Sequence, residues 1–179
     1  MGITRRAPGS DEGTTADSHR RRRVKVKEGQ LVAVPLVDGT FALGHVARHY
    51  YRQATVAHFA HRAESPAKLL DGAQEAMKGQ PVAVLAVTHD EIYEGYWPVI
   101  GCVVPAYPES ILDTKGTSYT ASVSRGLMNA WYGLEPWDGM ADPRCHEKML
   151  LPNTHVPPTV RYKHDFERNA VLDDERAHR

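Results

Sequence analysis

The sequence contains few cysteines, which limits what can hold the fold together. Cys102 and Cys145 are the two cysteines in 179 residues, and they lie in different segments. Two thiols are too few for a disulfide-stapled scaffold, and neither belongs to a paired spacing that ligates zinc. We therefore expect reduced thiols and a fold stabilised by a hydrophobic core. We also expect Cys102 to be buried and inert, because burial in an apolar strand raises the pKa of a thiol.

The sequence also lacks net charge and long apolar runs. Twenty-two lysines and arginines balance 22 aspartates and glutamates, so no overall field favours nucleic acid or an anionic membrane. The apolar runs are far shorter than a membrane span, and none follows the first arginines as the core of a signal peptide would. These absences predict a cytoplasmic protein without a membrane partner.

One basic cluster interrupts this balance, the stretch "HRRRRVKVK" from His19 to Lys27. No aromatic residue is interleaved with it, so we interpret it as solvated and expect no nucleic-acid partner. Residues 1–22 lack any apolar period, which predicts a disordered basic and polar tail. A single domain is predicted over residues 23–162, and residues 163–179 are predicted to be a frayed, charged C-terminus.

Apolar runs and turn residues predict an antiparallel meander after this tail. The runs Leu31–Leu36 and Phe41–Ala47 flank Asp38-Gly39, and Gln53–Ala60 alternates as a third strand. Asp-Gly between two apolar runs favours a hairpin with a type I′ turn, because both central residues of that turn have positive φ.

The remaining segments predict one long helix and a further strand. Ser65 before Pro66 is a typical helix start, and the apolar spacing that follows lasts until Gly79. The run "PVAVLAV" from Pro81 to Val87 predicts the central strand of the sheet. Weaker patterns predict a loop over Tyr107–Tyr119 and short helices near Ser124–Tyr132 and after Asp142-Pro143. The pattern as a whole predicts an α+β fold with a twisted, mainly antiparallel, barrel-like sheet of about five strands.

The stretch "GYWPVIG" from Gly95 to Gly101 places a proline in an apolar strand. Proline cannot donate to a β-ladder, so Pro98 predicts an edge strand or a bulge. Trp97 has two possible roles at this point. It fills the core, or it is an exposed anchor for a partner protein, since tryptophan dominates interface hot spots.

No catalytic motif stands out. A nucleophile elbow, a phosphate-binding loop and a dinucleotide fingerprint are all missing from the sequence, so we expect no enzyme and no cofactor. The alternative is a metal-dependent hydrolase that uses a histidine cluster, since the chain has ten histidines. Against it, His58 and His61 are three residues apart on a predicted strand and should point to opposite faces.

Three quoted stretches together resemble one known family. "VKEGQLVAVPLVDGTFALGHV" from Val26, "PVAVLAV" and "GYWPVIG" resemble, in this order, the immunity protein 26 family of bacterial polymorphic toxin systems. The positions that carry the resemblance are Gly29, Pro35, Asp38, Gly39, Gly44, Gly95, Trp97, Pro98, Ile100 and Gly101. The resemblance implies a non-enzymatic α+β domain that binds a cognate protein toxin and occludes it. It leaves the oligomeric state open.

Two acidic and aromatic stretches are the predicted toxin-binding surface. They are "THDEIYEGY" from Thr88 and "EPWDGMAD" from Glu135. Aromatic anchors carry much of the affinity of protein interfaces, and acidic groups complement basic partners. The predicted partner-binding residues are Asp90, Glu91, Tyr93, Glu94, Tyr96, Trp97, Trp137 and Asp138.

Overall fold

The structure is a computed structural model, and it describes residues 23–114 and 116–169. The tail predicted over residues 1–22 lies outside the described residues, and so does the part of the predicted C-terminal tail over residues 170–179. The first four residues of the predicted basic cluster, 19–22, lie outside them too. Residues 163–169 are helical.

Six strands form one open sheet. In the order β5-β1-β2-β3-β4-β6, neighbours are hydrogen-bonded, and every pair is antiparallel except β4 with β6. The predicted α+β class is confirmed, but the sheet does not close into a barrel, because β5 and β6 end as opposite edges. The strands are β1 Gln30–Pro35, β2 Phe41–Tyr50, β3 Gln53–Ala63, β4 Ala83–Thr88, β5 Val99–Cys102 and β6 Ser118–Tyr119.

Helices pack on both faces of this sheet. They are α1 Pro66–Ala76, α2 Asp90–Tyr93, α3 Glu109–Leu112, α4 Ala121–Trp131 and α5 Cys145–Met149. Successive residues of β1 enter different clusters, with Leu31 in the core under α1 and Val32 in the core under α4. This alternation is the period of two that a strand imposes, so both faces of the sheet are buried.

Two predictions about the second half of the chain are wrong. Strand β4 is not central, because β2 and β3 occupy the middle and the two-residue β6 is its only outer partner strand among the described residues. The segment Tyr107–Tyr119 is not all loop, since it contains α3 and β6. An apolar run shows that a strand is buried on both faces, but it carries no information about which strands lie beside it.

The predicted meander and its hairpin are confirmed, but the turn type is wrong. Gly39 has φ +83°, whereas Asp38 is not among the residues with positive φ. The Leu36 amide donates to the Thr40 carbonyl at 2.8 Å, which makes a three-residue loop with glycine in the left-handed region. The Asp38 carboxylate accepts a hydrogen bond from the Thr40 amide at 3.2 Å, and this local bond favours the observed turn.

The long helix begins as predicted. The Ser65 hydroxyl accepts a hydrogen bond from the Lys68 amide at 3.3 Å, and Pro66 occupies the first turn. Leu69 and Ala73 are the buried positions of α1. They pack over the face of the sheet that carries Phe59.

The proline in the apolar strand lies at the sheet edge, as predicted. The Pro98 carbonyl accepts a hydrogen bond from the Ala33 amide at 2.9 Å. The register between β1 and β5 then shifts, so that Ile100 is an extra, bulged residue. A short, bulged edge next to proline is a poor template for aggregation. Cys102 is exposed on this edge strand, so the prediction that it is buried is wrong.

Gly44 lies in the middle of the sheet, where a side chain would collide with β-branched neighbours. A Cβ at this position would approach Val32 Cγ2 at 2.8 Å and Val56 Cγ1 at 3.2 Å. We expect Gly44→Ala to lower the free energy of unfolding by about 1–3 kcal/mol, a typical cost of overpacking. Urea titration of the variant and the wild type measures this difference in the free energy of unfolding.

The matched control is Gly126 in α4, where a Cβ would meet only Glu135 Oε2 at 3.7 Å. We expect Gly126→Ala to raise the free energy of unfolding by up to about 1 kcal/mol, because alanine is the better helix former. A Gly44→Ala protein as stable as the wild type would contradict the close packing at Gly44.

Candidate partner-binding cleft

A cleft of about 640 Å³ opens beside the start of β5. It lies where the stretch after α2 meets the hairpin between β1 and β2 and the first half of α4. We call it the tyrosine cleft. Its lining residues are Pro35, Phe41, Glu91, Gly95, Tyr96, Trp97, Pro98 and Arg125.

The backbone after α2 directs two neighbouring aromatic side chains in opposite directions. Gly95 has φ +76°, a left-handed conformation that glycine adopts without strain. The Trp97 amide then donates to the Glu91 carbonyl at 2.9 Å. As a result, Tyr96 is 55% exposed on the rim of the cleft, whereas Trp97 is 2% exposed and forms its floor.

The cleft carries one charge of each sign. Arg125 is exposed on α4, and no carboxylate among the described residues forms an ion pair with it. Glu91 lies on α2, and its carboxylate likewise has no ion-pair partner in the described ranges. Two unpaired charges beside apolar surface can both be satisfied by a partner protein.

Two of the predicted partner-binding residues are core residues. For Trp97 this selects the core role, one of the two that the sequence left open, and for Trp137 it corrects the prediction of an exposed residue. Trp97 packs edge-on against the ring of His58, with ring centroids 6.3 Å apart. Trp137 is 1% exposed and packs against Trp131 and His146. Both indoles are buried, so neither is the exposed anchor that was predicted. Tryptophan is common both in cores and at hot spots, so the residue type alone did not distinguish the two.

The other predicted residues are distributed over a wider surface. Glu91 and Tyr96 line the tyrosine cleft. Asp90 is exposed on α2, and Glu94 forms an ion pair with Arg23 at 3.5 Å. The remaining two are Tyr93, whose ring stacks on His89, and Asp138, whose carboxylate accepts a hydrogen bond from the Lys163 amide at 2.8 Å.

Sequence reasoning missed the two residues that complete the cleft, Phe41 and Arg125. Phe41 begins β2, and Arg125 follows the buried Ser124 in α4. Both are distant in sequence from Gly95–Pro98. An exposed arginine on an amphipathic helix has no distinctive sequence pattern, so only tertiary packing reveals that it lines the same cleft as Tyr96.

A serine–histidine pair lies near the cleft but is sealed from it. Ser124 Oγ and His58 Nε2 are 2.8 Å apart, and both residues are 0% exposed. Burial lowers the pKa of His58 to about 4. Nucleophilic catalysis requires that a substrate reach the hydroxyl, and here Trp97 packs against the imidazole. The pair therefore holds α4 onto β3.

The other buried histidines are engaged in structural hydrogen bonds. His45 Nε2 donates to the Val103 carbonyl at 2.9 Å, so its Nδ1 accepts from the Tyr107 hydroxyl at 2.6 Å. Burial lowers the pKa of His45 and also that of His146. His61 contacts the Leu69 carbonyl under α1 at 3.1 Å. His58 and His61 thus lie on opposite faces of the sheet, as predicted.

Two partly exposed histidines form a head-on pair. His49 Nε2 and His89 Nδ1 are 3.0 Å apart, the ring centroids are 5.3 Å apart, and the planes differ by 12°. Nearly coplanar rings whose nitrogens point straight at each other make an N–H···N hydrogen bond. A shared metal ion would instead require the two nitrogen axes to converge at an angle. Burial and the nearby His89 lower the pKa of His49.

No cluster of three or more possible metal ligands is found in residues 23–114 and 116–169. In the same ranges, no helix is both long enough and apolar enough to cross a membrane. No family model, curated protein or solved structure matches the chain.

Proposed function

We propose that this protein is an immunity protein that binds a cognate bacterial toxin in the cytoplasm and occludes its active site. The proposal rests on the resemblance of residues 24–105 to the immunity protein 26 family. The observation that carries it is the tyrosine cleft, because the segment of the resemblance from Gly95 to Pro98 forms one wall of it.

The physical character of the cleft supports protein binding. An exposed tyrosine, an arginine without an ion-pair partner among the described residues and an apolar floor are the components of interface hot spots. The glycines of the resemblance support the same fold. Gly29, Gly39 and Gly95 have positive φ, so each occupies a backbone position that other residues adopt with strain.

Occlusion is the mechanism that such a surface supports. A rigid sheet presents the cleft, and the toxin inserts an exposed segment next to Tyr96, with a carboxylate toward Arg125 and a cation toward Glu91. Because the chain has no net charge, long-range steering contributes little. The affinity comes from desolvated contacts at the cleft, and the bound immunity protein blocks access to the toxin's own active site.

The first test is co-expression with the product of the adjacent gene, followed by co-purification. We expect rescue from the toxicity of that product and a stable complex. A confirmed toxic neighbour that is neither bound nor neutralised would defeat the proposal. Elemental analysis of the purified protein tests the metal-dependent hydrolase, since a stoichiometric bound metal would favour that alternative.

A double substitution in the cleft tests the binding site. We expect Tyr96→Ala with Arg125→Glu to weaken toxin binding at least about 30-fold, because hot-spot residues contribute about 2 kcal/mol or more each. The melting temperature should change little, since both side chains are exposed. Calorimetric titration against the purified toxin measures the affinity.

The control is Tyr162→Ala, which removes another partly exposed tyrosine outside the cleft (39% exposed). It should bind the toxin as the wild type does. If the cleft variant also retains wild-type affinity, the toxin binds elsewhere on the molecule.

A further inference from the structure

The turn between β2 and β3 presents two tyrosines to solvent. Tyr50 pairs with Gln53 at the end of the ladder, which leaves Tyr51 and Arg52 as the two turn residues. Tyr50 is 58% exposed and Tyr51 is 90% exposed. We call Tyr50, Tyr51 and Arg52 the β2–β3 tip.

Tyr51 has an unfavourable backbone conformation for its residue type. Its φ is +28°, and every other residue with positive φ in the described ranges is glycine or asparagine. A tyrosine at such a position costs stability, because its Cβ approaches the backbone too closely. Burial of the ring does not compensate, since the side chain is almost fully exposed. A two-residue hairpin loop requires positive φ at its first residue, where glycine, asparagine or aspartate is usual. A tyrosine at this position is an outlier of the kind that clusters at functional contacts.

The tip is held rigidly at its base. His49 precedes the tip, and its Nε2 lies head-on to His89 Nδ1 at 3.0 Å. The Arg52 carbonyl accepts a hydrogen bond from the His89 amide at 3.2 Å. His89 therefore holds the chain on both sides of Tyr51, through its side chain at His49 and through its amide at Arg52. A preorganised aromatic side chain loses little entropy when it binds.

The charges at the tip favour a protein partner over a nucleic acid. Arg48, next to the tip, forms an ion pair with Glu109. The Arg52 guanidinium has no carboxylate partner in the part of the chain that the structure describes. One unpaired cation at the tip is too few for affinity that depends on several phosphate contacts. Two exposed tyrosines beside an arginine match the composition of protein hot spots.

We propose that the β2–β3 tip is a second contact with the toxin, in which Tyr51 inserts into a concave apolar pocket and Arg52 pairs with a carboxylate at its rim. This inference rests on the proposed function and adds a second anchor at the far end of β2, since the cleft residue Phe41 begins that strand and Tyr50 ends it. It also gives a role to a tyrosine at a position where glycine or asparagine fits the backbone better.

The test is Tyr51→Asn, which keeps a residue that tolerates positive φ and removes the ring. We expect its melting temperature to rise above that of the wild type, because the strain is relieved. We expect its affinity for the purified product of the adjacent gene to fall at least about 10-fold. Tyr162→Asn, which lies outside both surfaces, should retain wild-type affinity.

Three results would overturn the inference while leaving the proposed function intact. They are wild-type affinity of Tyr51→Asn alongside weakened binding of the cleft variant, a lower melting temperature of Tyr51→Asn, and Tyr51-dependent binding of a single-stranded oligonucleotide. A lower melting temperature of Tyr51→Asn would show that Tyr51 stabilises the fold. If instead the wild type binds no toxin at all, the proposed function fails and the inference fails with it.

Discussion

Replacing Trp97 with alanine is expected to lower the free energy of unfolding by about 3–5 kcal/mol, the usual cost of truncating a buried tryptophan. The indole is 2% exposed and packs edge-on against His58, whose own partner is Ser124. Truncation removes the floor of the tyrosine cleft and leaves the His58 ring without its packing partner. Urea unfolding at neutral pH measures the loss.

The matched control is Tyr96→Ala, because the neighbouring residue is exposed and should change the free energy of unfolding by less than about 0.5 kcal/mol. If Trp97→Ala does not fold, Trp97→Phe provides a smaller truncation, which should still be less stable than the wild type. A Trp97→Ala protein with an unchanged melting temperature and lost toxin binding would contradict the core position and restore Trp97 as an interface anchor.

Acidification is expected to destabilise the protein well above the range where carboxylates titrate. The His58 imidazole is neutral in the folded state, with a pKa of about 4 against an ordinary value of 6.5, because burial penalises its charged form. The unfolded chain takes up a proton below pH 6.5, which favours unfolding. His58 alone should therefore lower the free energy of unfolding by about 3 kcal/mol as the pH falls from 6.5 to 4.

The buried His45 and His146 act in the same direction, since burial lowers the pKa of both. Carboxyl groups in hydrogen bonds or ion pairs lose their stabilising effect only at lower pH. The pKa of Asp38 lies below its ordinary 3.8, mainly because of the hydrogen bond from the Thr40 side chain, so its stabilisation is lost only at still lower pH. The loss between pH 6.5 and about pH 5 therefore reports on the buried histidines.

The His58→Gln variant isolates the contribution of His58. Glutamine does not titrate and can still bond to Ser124, so its stability deficit relative to the wild type should shrink as the pH falls toward 4. Parallel profiles for wild type and His58→Gln, measured by urea unfolding from pH 7.5 to pH 4.5, would refute the role of His58.

The elements that the sequence predicted well depend on local chemistry. The meander follows from apolar runs around Asp38-Gly39, and α1 follows from Ser65-Pro66 and its periodic apolar face. The edge position of β5 follows from Pro98, which has no amide to donate. Each of these predictions depends on neighbouring residues, so it can be made without knowing how the rest of the chain folds.

The candidate site depended on contacts between distant segments. Phe41 and Arg125 line the same cleft as Tyr96 although 84 positions separate them along the chain. The sequence by itself determined the α+β class, the hairpins and the edge strand, because backbone propensity and turn chemistry act over a few residues. Only the tertiary structure decided that Trp97 is buried and that Cys102 is exposed, because desolvation depends on which remote side chains pack against each residue.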